Sequence, residues 1–274
     1  MELKNDDTRG RFGEMEFEVP GTPEQVWRAI ATGPGISSWL FPTELEEREG
    51  GAVAFHIAPG MESAGTVTAW EPPRRIAYEE PDWNPGAPPL GTEFVIEAKS
   101  GGTCVVRLVH SLFTSSEEWD DQFGSFETGW TSCFRVLRLV LAHFADQPSE
   151  SFRVLGDAPG SEGEVWATLA EALGVRGAAP GEQRGAPDSA PPLAGVVERA
   201  EERETAHEVM LRLEKPVPGI GVVGAYTWGG KAHPSLSFFF FGDEATRAKA
   251  QAEPAWRAWF EERFPSSKEK SAAS

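Results

Sequence analysis

Apolar and polar positions change period several times along the chain, and each change marks a new element. Phe17 and Val19 alternate with Glu16 and Glu18 as in a strand. Thr22 then offers a side-chain oxygen, Pro23 stands at a first helical position and Glu24 suits the positive end of a helix dipole. Val26, Trp27 and Ile30 recur at helical steps, so an amphipathic helix follows the strand, with a second helical turn before Trp39. From Ala52 the period returns to two. The runs 52–57, 65–70, 75–79, 92–98 and 104–112 read as strands. Turn chemistry at Glu71-Pro72-Pro73, Asn84-Pro85-Gly86 and Ser100-Gly101-Gly102 separates them into an antiparallel meander.

From Asp120 to Asp146 the period is helical again. Phe123, Phe126, Trp130, Phe134, Leu137, Leu141 and Phe144 repeat at steps of three and four, which predicts one long helix with a continuous aromatic stripe. Gly129 weakens that helix locally and is expected to admit a neighbouring backbone. Glu117, Glu118, Asp120 and Asp121 suit its positive N-terminal end.

The second half repeats the plan in shortened form. A strand at 152–155 precedes a helix opened by Ser161 and ending near Gly174, with Leu169 and Leu173 on its apolar face. Residues 176–192 are rich in Gly, Ala and Pro and read as a flexible linker. Strands at 194–200, 207–214, 219–228 and 235–242 and a terminal helix at 244–264, interrupted near Pro254, complete it. PGTPEQVWRAI and PGSEGEVWATL share Pro-Gly, a polar cap, Glu and Val-Trp at matching offsets. That match fits an internal duplication or two independent amphipathic helix starts. The run Leu236–Phe241, LSFFFF, would promote aggregation on an exposed edge, so it is expected to be a covered strand, with a homodimer contact as the second reading.

The segment Glu16 to Trp39, the strands after it, the long closing helix and its Gly129-Trp130 pair together resemble the START-like (SRPBCC) superfamily. The branch is that of the activator of heat shock protein 90 ATPase, and the resemblance covers roughly residues 14–147. It implies an α+β helix-grip domain over 1–148, a curved antiparallel sheet wrapped around a long C-terminal helix. A smaller α+β domain is expected over 149–274, either a degenerate second copy of the same layout or an independent domain. The resemblance also implies an apolar cavity between sheet and helix. Alternation supplies its lining: Phe55, Ile57, Tyr78, Phe94, Ile96, Val106, Leu108 and His110 from the strands, with Phe126, Trp130 and Phe134 from the helix.

Composition narrows the partners. The chain has 274 residues, with 25 Lys and Arg against 43 Asp and Glu, a formal charge of -18 that repels phosphate backbones and anionic lipid surfaces. Nucleic acid and membrane are therefore not expected partners. Only Cys104 and Cys133 are present, without metal-ligand spacing, so no metal, no disulfide framework and no cofactor is expected. A polar N-terminus without an apolar signal region and the absence of a spanning segment suggest a cytoplasmic protein. No GxxxxGK, HExxH or GxSxG motif occurs. The leading expectation is a binder of a small apolar molecule, with no catalytic residue assigned. A polyketide cyclase or aromatase-like enzyme, drawing on His110 and Tyr78, is the alternative, and a co-chaperone or protein-interaction module is the third reading.

Overall fold

Between Leu3 and Leu112 the alternating segments pair into one eight-stranded sheet. The computed structural model describes residues 3–6, 10–58, 60–203 and 206–265. The chain divides into two compact units, Met1–Asp146 and Gln147–Ser274. The first contains β1 (Leu3–Asp6), β2 (Gly10–Pro20), α1 (Pro23–Ala31), α2 (Gly33–Ser37), β3 (Thr43–Leu45), β4 (Ala52–Ala58), β5 (Met61–Glu71), β6 (Arg75–Glu80), β7 (Leu90–Lys99), β8 (Thr103–Leu112) and α3 (Asp120–His143). Strand order is β1-β2-β8-β7-β6-β5-β4-β3, every pair antiparallel. The opening strand β2 thus pairs with the last strand β8, and the rest is a meander. The short strands β1 and β3 have no counterpart in the sequence reading. Both are edge strands, and β1 is mostly polar, so main-chain pairing rather than apolar alternation makes them.

Local chemistry starts the helices as expected. The Thr22 hydroxyl accepts from the Gln25 N–H and the Gln25 side chain accepts from the Thr22 N–H, a reciprocal cap that satisfies two orphan donors. Gly35 lets α2 fold against α1, since a methyl there would overlap the Arg28 carbonyl oxygen. At the start of α3, Asp120 receives a two-pronged pair from Arg11 of β2, with both N···O distances 2.5 Å. At the far end Arg28 of α1 grips Asp146 in the same manner.

The long helix lies against one face of this sheet. Phe134 stacks on Phe17 of β2 with ring centroids 3.8 Å apart, and Trp130 meets Phe94 of β7 edge to face at 5.6 Å. Trp39, which follows α2, reaches both Trp130 and Phe134, and its indole N–H donates to the Ala29 carbonyl. Phe134, Leu137, Val140 and Leu141 are buried, whereas Phe126 and Trp130 are only half-buried.

The second unit runs β9 (Ser149–Leu155), α4 (Glu162–Ala172), β10 (Gln183–Gly185), β11 (Ala194–Arg203), β12 (Ala206–Lys215), β13 (Gly219–Trp228), β14 (Lys231–Phe241) and α5 (Ala245–Arg263). Its order, β10-β11-β12-β13-β14-β9, again sets the first strand beside the last. The LSFFFF run lies within β14, paired on both sides and buried throughout, so it is a covered strand and offers no apolar edge. Residues 176–192 depart from the linker expectation. Gln183, Arg184 and Gly185 pair with Val196, Gly195 and Ala194, and Ala178 is buried in the core. Pro and Gly forbid a helix there but not an edge strand, which is held through main-chain groups. Helix α5 continues through Pro254 rather than breaking.

Candidate functional site

Towards the N-terminal half of α3 the helix and sheet leave a partly open cavity of about 280 Å³. Its walls are Phe55 and Ile57 of β4, Tyr78 of β6, Leu90 of β7, Phe126 and Trp130 of α3, Leu40 and Phe41 after α2, and Trp83 from the 81–89 loop. Trp83 is placed by its indole N–H, which donates to the Pro88 carbonyl, and by Phe126, 5.6 Å away. Gly129 and Cys133 also line the space. Gly129 approaches no neighbouring backbone, contrary to expectation, because an added methyl would point into open space.

Two polar groups interrupt these apolar walls. The first is a chain across three paired strands, since Tyr78 faces Thr92 and Thr92 faces His110. Tyr78 hydrogen-bonds Thr92, and the Thr92 hydroxyl lies 3.2 Å from His110 Nε2. The Trp130 indole N–H also donates to Nε2, at 2.8 Å. Nε2 is therefore an acceptor, which leaves the imidazole proton on Nδ1. That Nδ1 is buried and has no partner among the described residues. Burial pushes the His110 pKa down to about 3, so the ring is neutral, and burial raises the Tyr78 phenol well above its usual value.

The second group is Glu80, one alternation beyond Tyr78 on β6. Its carboxylate is 7% exposed and accepts a 2.5 Å hydrogen bond from Ser63 of β5. Burial raises its pKa to about 7, and the Ser63 hydrogen bond only partly opposes that shift.

Of the residues expected to line a pocket, Phe55, Ile57, Tyr78, His110, Phe126 and Trp130 come together around this space. Phe94, Ile96, Val106, Leu108 and Phe134 do not. They are buried in the core beyond it, where Phe17, Trp39 and Phe134 fill the gap between sheet and helix with stacked and tilted rings. Glu80, Ser63 and Thr92 are the polar cavity residues that the sequence reading misses. The signal for Glu80 was available, because Ile76, Tyr78 and Glu80 share one strand face. His56 points to the other side of its strand, between Glu44 and Glu62.

A curved antiparallel sheet closed by one long C-terminal helix, with a cavity between them, defines a helix-grip domain of the START-like class. Residues 20–142 match the family model described as activator of Hsp90 ATPase homolog 1-like protein. Among solved structures, protein MLL2253 from Mesorhizobium loti is 22% identical over 49% of this chain and 98% of its own, with a TM-score of 0.44. CalU16 from Micromonospora echinospora is 21% identical over 52% of this chain and 83% of its own, at 0.42. The di-domain ARO/CYC BexL from the BE-7585A biosynthetic pathway is 14% identical over 93% of this chain and 99% of its own, at 0.44. These low scores carry no weight in the functional reading. No curated protein matches the chain.

Proposed function

We propose that the first unit binds a small, mainly apolar molecule in the cavity between sheet and α3, without covalent chemistry. One observation carries this reading. The wall is almost wholly aromatic and aliphatic, interrupted by the polar groups of Ser63, Tyr78, Glu80, Thr92 and His110. Few convergent polar groups in an apolar concavity are the usual make-up of a ligand site. The volume lies near the lower end of the roughly 300–1,000 Å³ typical of such sites, which favours a compact ligand over a long lipid chain.

Native mass spectrometry of the purified protein, followed by denaturing extraction, tests the proposal. The expected outcome is a retained small apolar molecule, or saturable uptake of one when compounds are offered. A protein that emerges empty and takes up none of them contradicts it. A second reading, an acid–base enzyme of the polyketide cyclase kind, is supported by Glu80, whose carboxyl titrates near neutrality inside the cavity. On that reading Glu80→Gln binds substrate but loses turnover.

A further inference from the structure

We infer that the molecule held in this cavity carries a positively charged amine, seated against Glu80. The inference rests on the ligand-binding reading above and assigns that ligand a chemical class. Among the described residues, Glu80 is the only carboxylate lining the space, and no lysine or arginine lines it. The other titratable groups facing the cavity are Tyr78, His110 and Cys133. Burial holds the first two neutral, so neither supplies a cation. Among the described residues Glu80 forms no ion pair, and Ser63 is its only hydrogen-bond partner. Buried carboxylates are ordinarily paired with a cation, and here the protein provides none.

The remaining walls suit the same ligand. Phe41, Phe55, Tyr78, Trp83, Phe126 and Trp130 surround the space. Aromatic faces are negative and attract ammonium groups, most strongly where water is excluded. A neutral ligand would leave the carboxylate without compensation, and an anionic one would add like charge. The near-neutral titration of Glu80 follows from its burial. An arriving ammonium would ionise the carboxyl, so amine affinity rises with pH through about 7 and then levels.

Isothermal titration of the full chain with phenethylamine, phenethyl alcohol and phenylacetate separates the classes. At a pH near 8 the amine is expected to bind about tenfold tighter than the alcohol, with phenylacetate weakest. In Glu80→Gln the amine should lose that advantage. If the variant does not fold, the wild-type pH series decides. Amine affinity should then fall about tenfold from pH 8 to pH 6 while alcohol affinity stays level. Equal binding of amine and alcohol, a flat amine profile, or a preference that survives Glu80→Gln overturns the inference. The last result would assign the preference to the acidic surface as a whole. Alcohol binding without amine binding leaves the apolar-ligand reading standing and removes this one. If none of the three binds and no molecule copurifies, both fall.

Discussion

Glu80 and His110 are buried in the same cavity wall, and burial acts on them with opposite consequences for stability. The Glu80 carboxyl titrates near 7 in the folded protein against 4.5 for an ordinary glutamate, so between those values the folded state holds more proton than the unfolded chain. Its contribution to stability falls as pH rises through that window and is level above it. His110 titrates near 3 against 6.5, so the unfolded chain takes up the proton first, and stability is lost as pH falls from about 6.5 towards 3. The two slopes oppose each other where the windows overlap, and only a variant separates them. Glu80→Gln, followed by urea unfolding, should gain stability relative to wild type from pH 4.5 to pH 7, by up to about 1.4 kcal/mol per pH unit. A difference that stays constant over that range would show that Glu80 is not buried as described. Of these residues His110 was legible from the alternation starting at Cys104. Glu80 lay on an equally legible face, but a carboxylate at a strand end ordinarily reads as solvated. Only its burial in the cavity wall beside Ser63 of β5 reverses that.

Helix α3 is the element on which the cavity depends. Its aromatic stripe was readable at every step, because each ring had to meet the sheet. The division of the stripe into cavity wall and filled core was not. Phe126 and Trp130 face open volume, while Phe134 is stacked on Phe17. Gly129 follows the same division, since it faces the cavity and touches nothing. Gly129→Ala should therefore raise stability by about 0.5–1 kcal/mol through helix propensity, read from the urea midpoint. It should also weaken ligand uptake, because the methyl enters the cavity. A destabilised variant would instead restore the close backbone approach that the sequence suggested. The short strands β1, β3 and β10 were not legible, for each is only three or four residues of main-chain pairing with the next strand, outside any apolar run.

In each unit the strand that precedes the reciprocally capped helix pairs with the last strand, and each unit ends in a helix. The formal charge of -18 acts on the molecule as a whole. Mutual repulsion weakens the compact state, and salt screens it over about 8–10 Å at ordinary ionic strength. Raising salt from about 0.01 M to about 0.15 M should raise Tm in a circular-dichroism melt, and an unchanged or lowered Tm would mean that self-repulsion does not limit stability. The sequence by itself determined the longer strands, the helices, their order and the inward faces, because period and capping are local properties of neighbouring residues. Where sheet and helix part to leave a cavity, and which polar side chains are trapped in its wall, were decided only in three dimensions. Burial, and with it the charge state of Glu80 and His110, depends on atoms supplied by strands, loop and helix far apart in the chain.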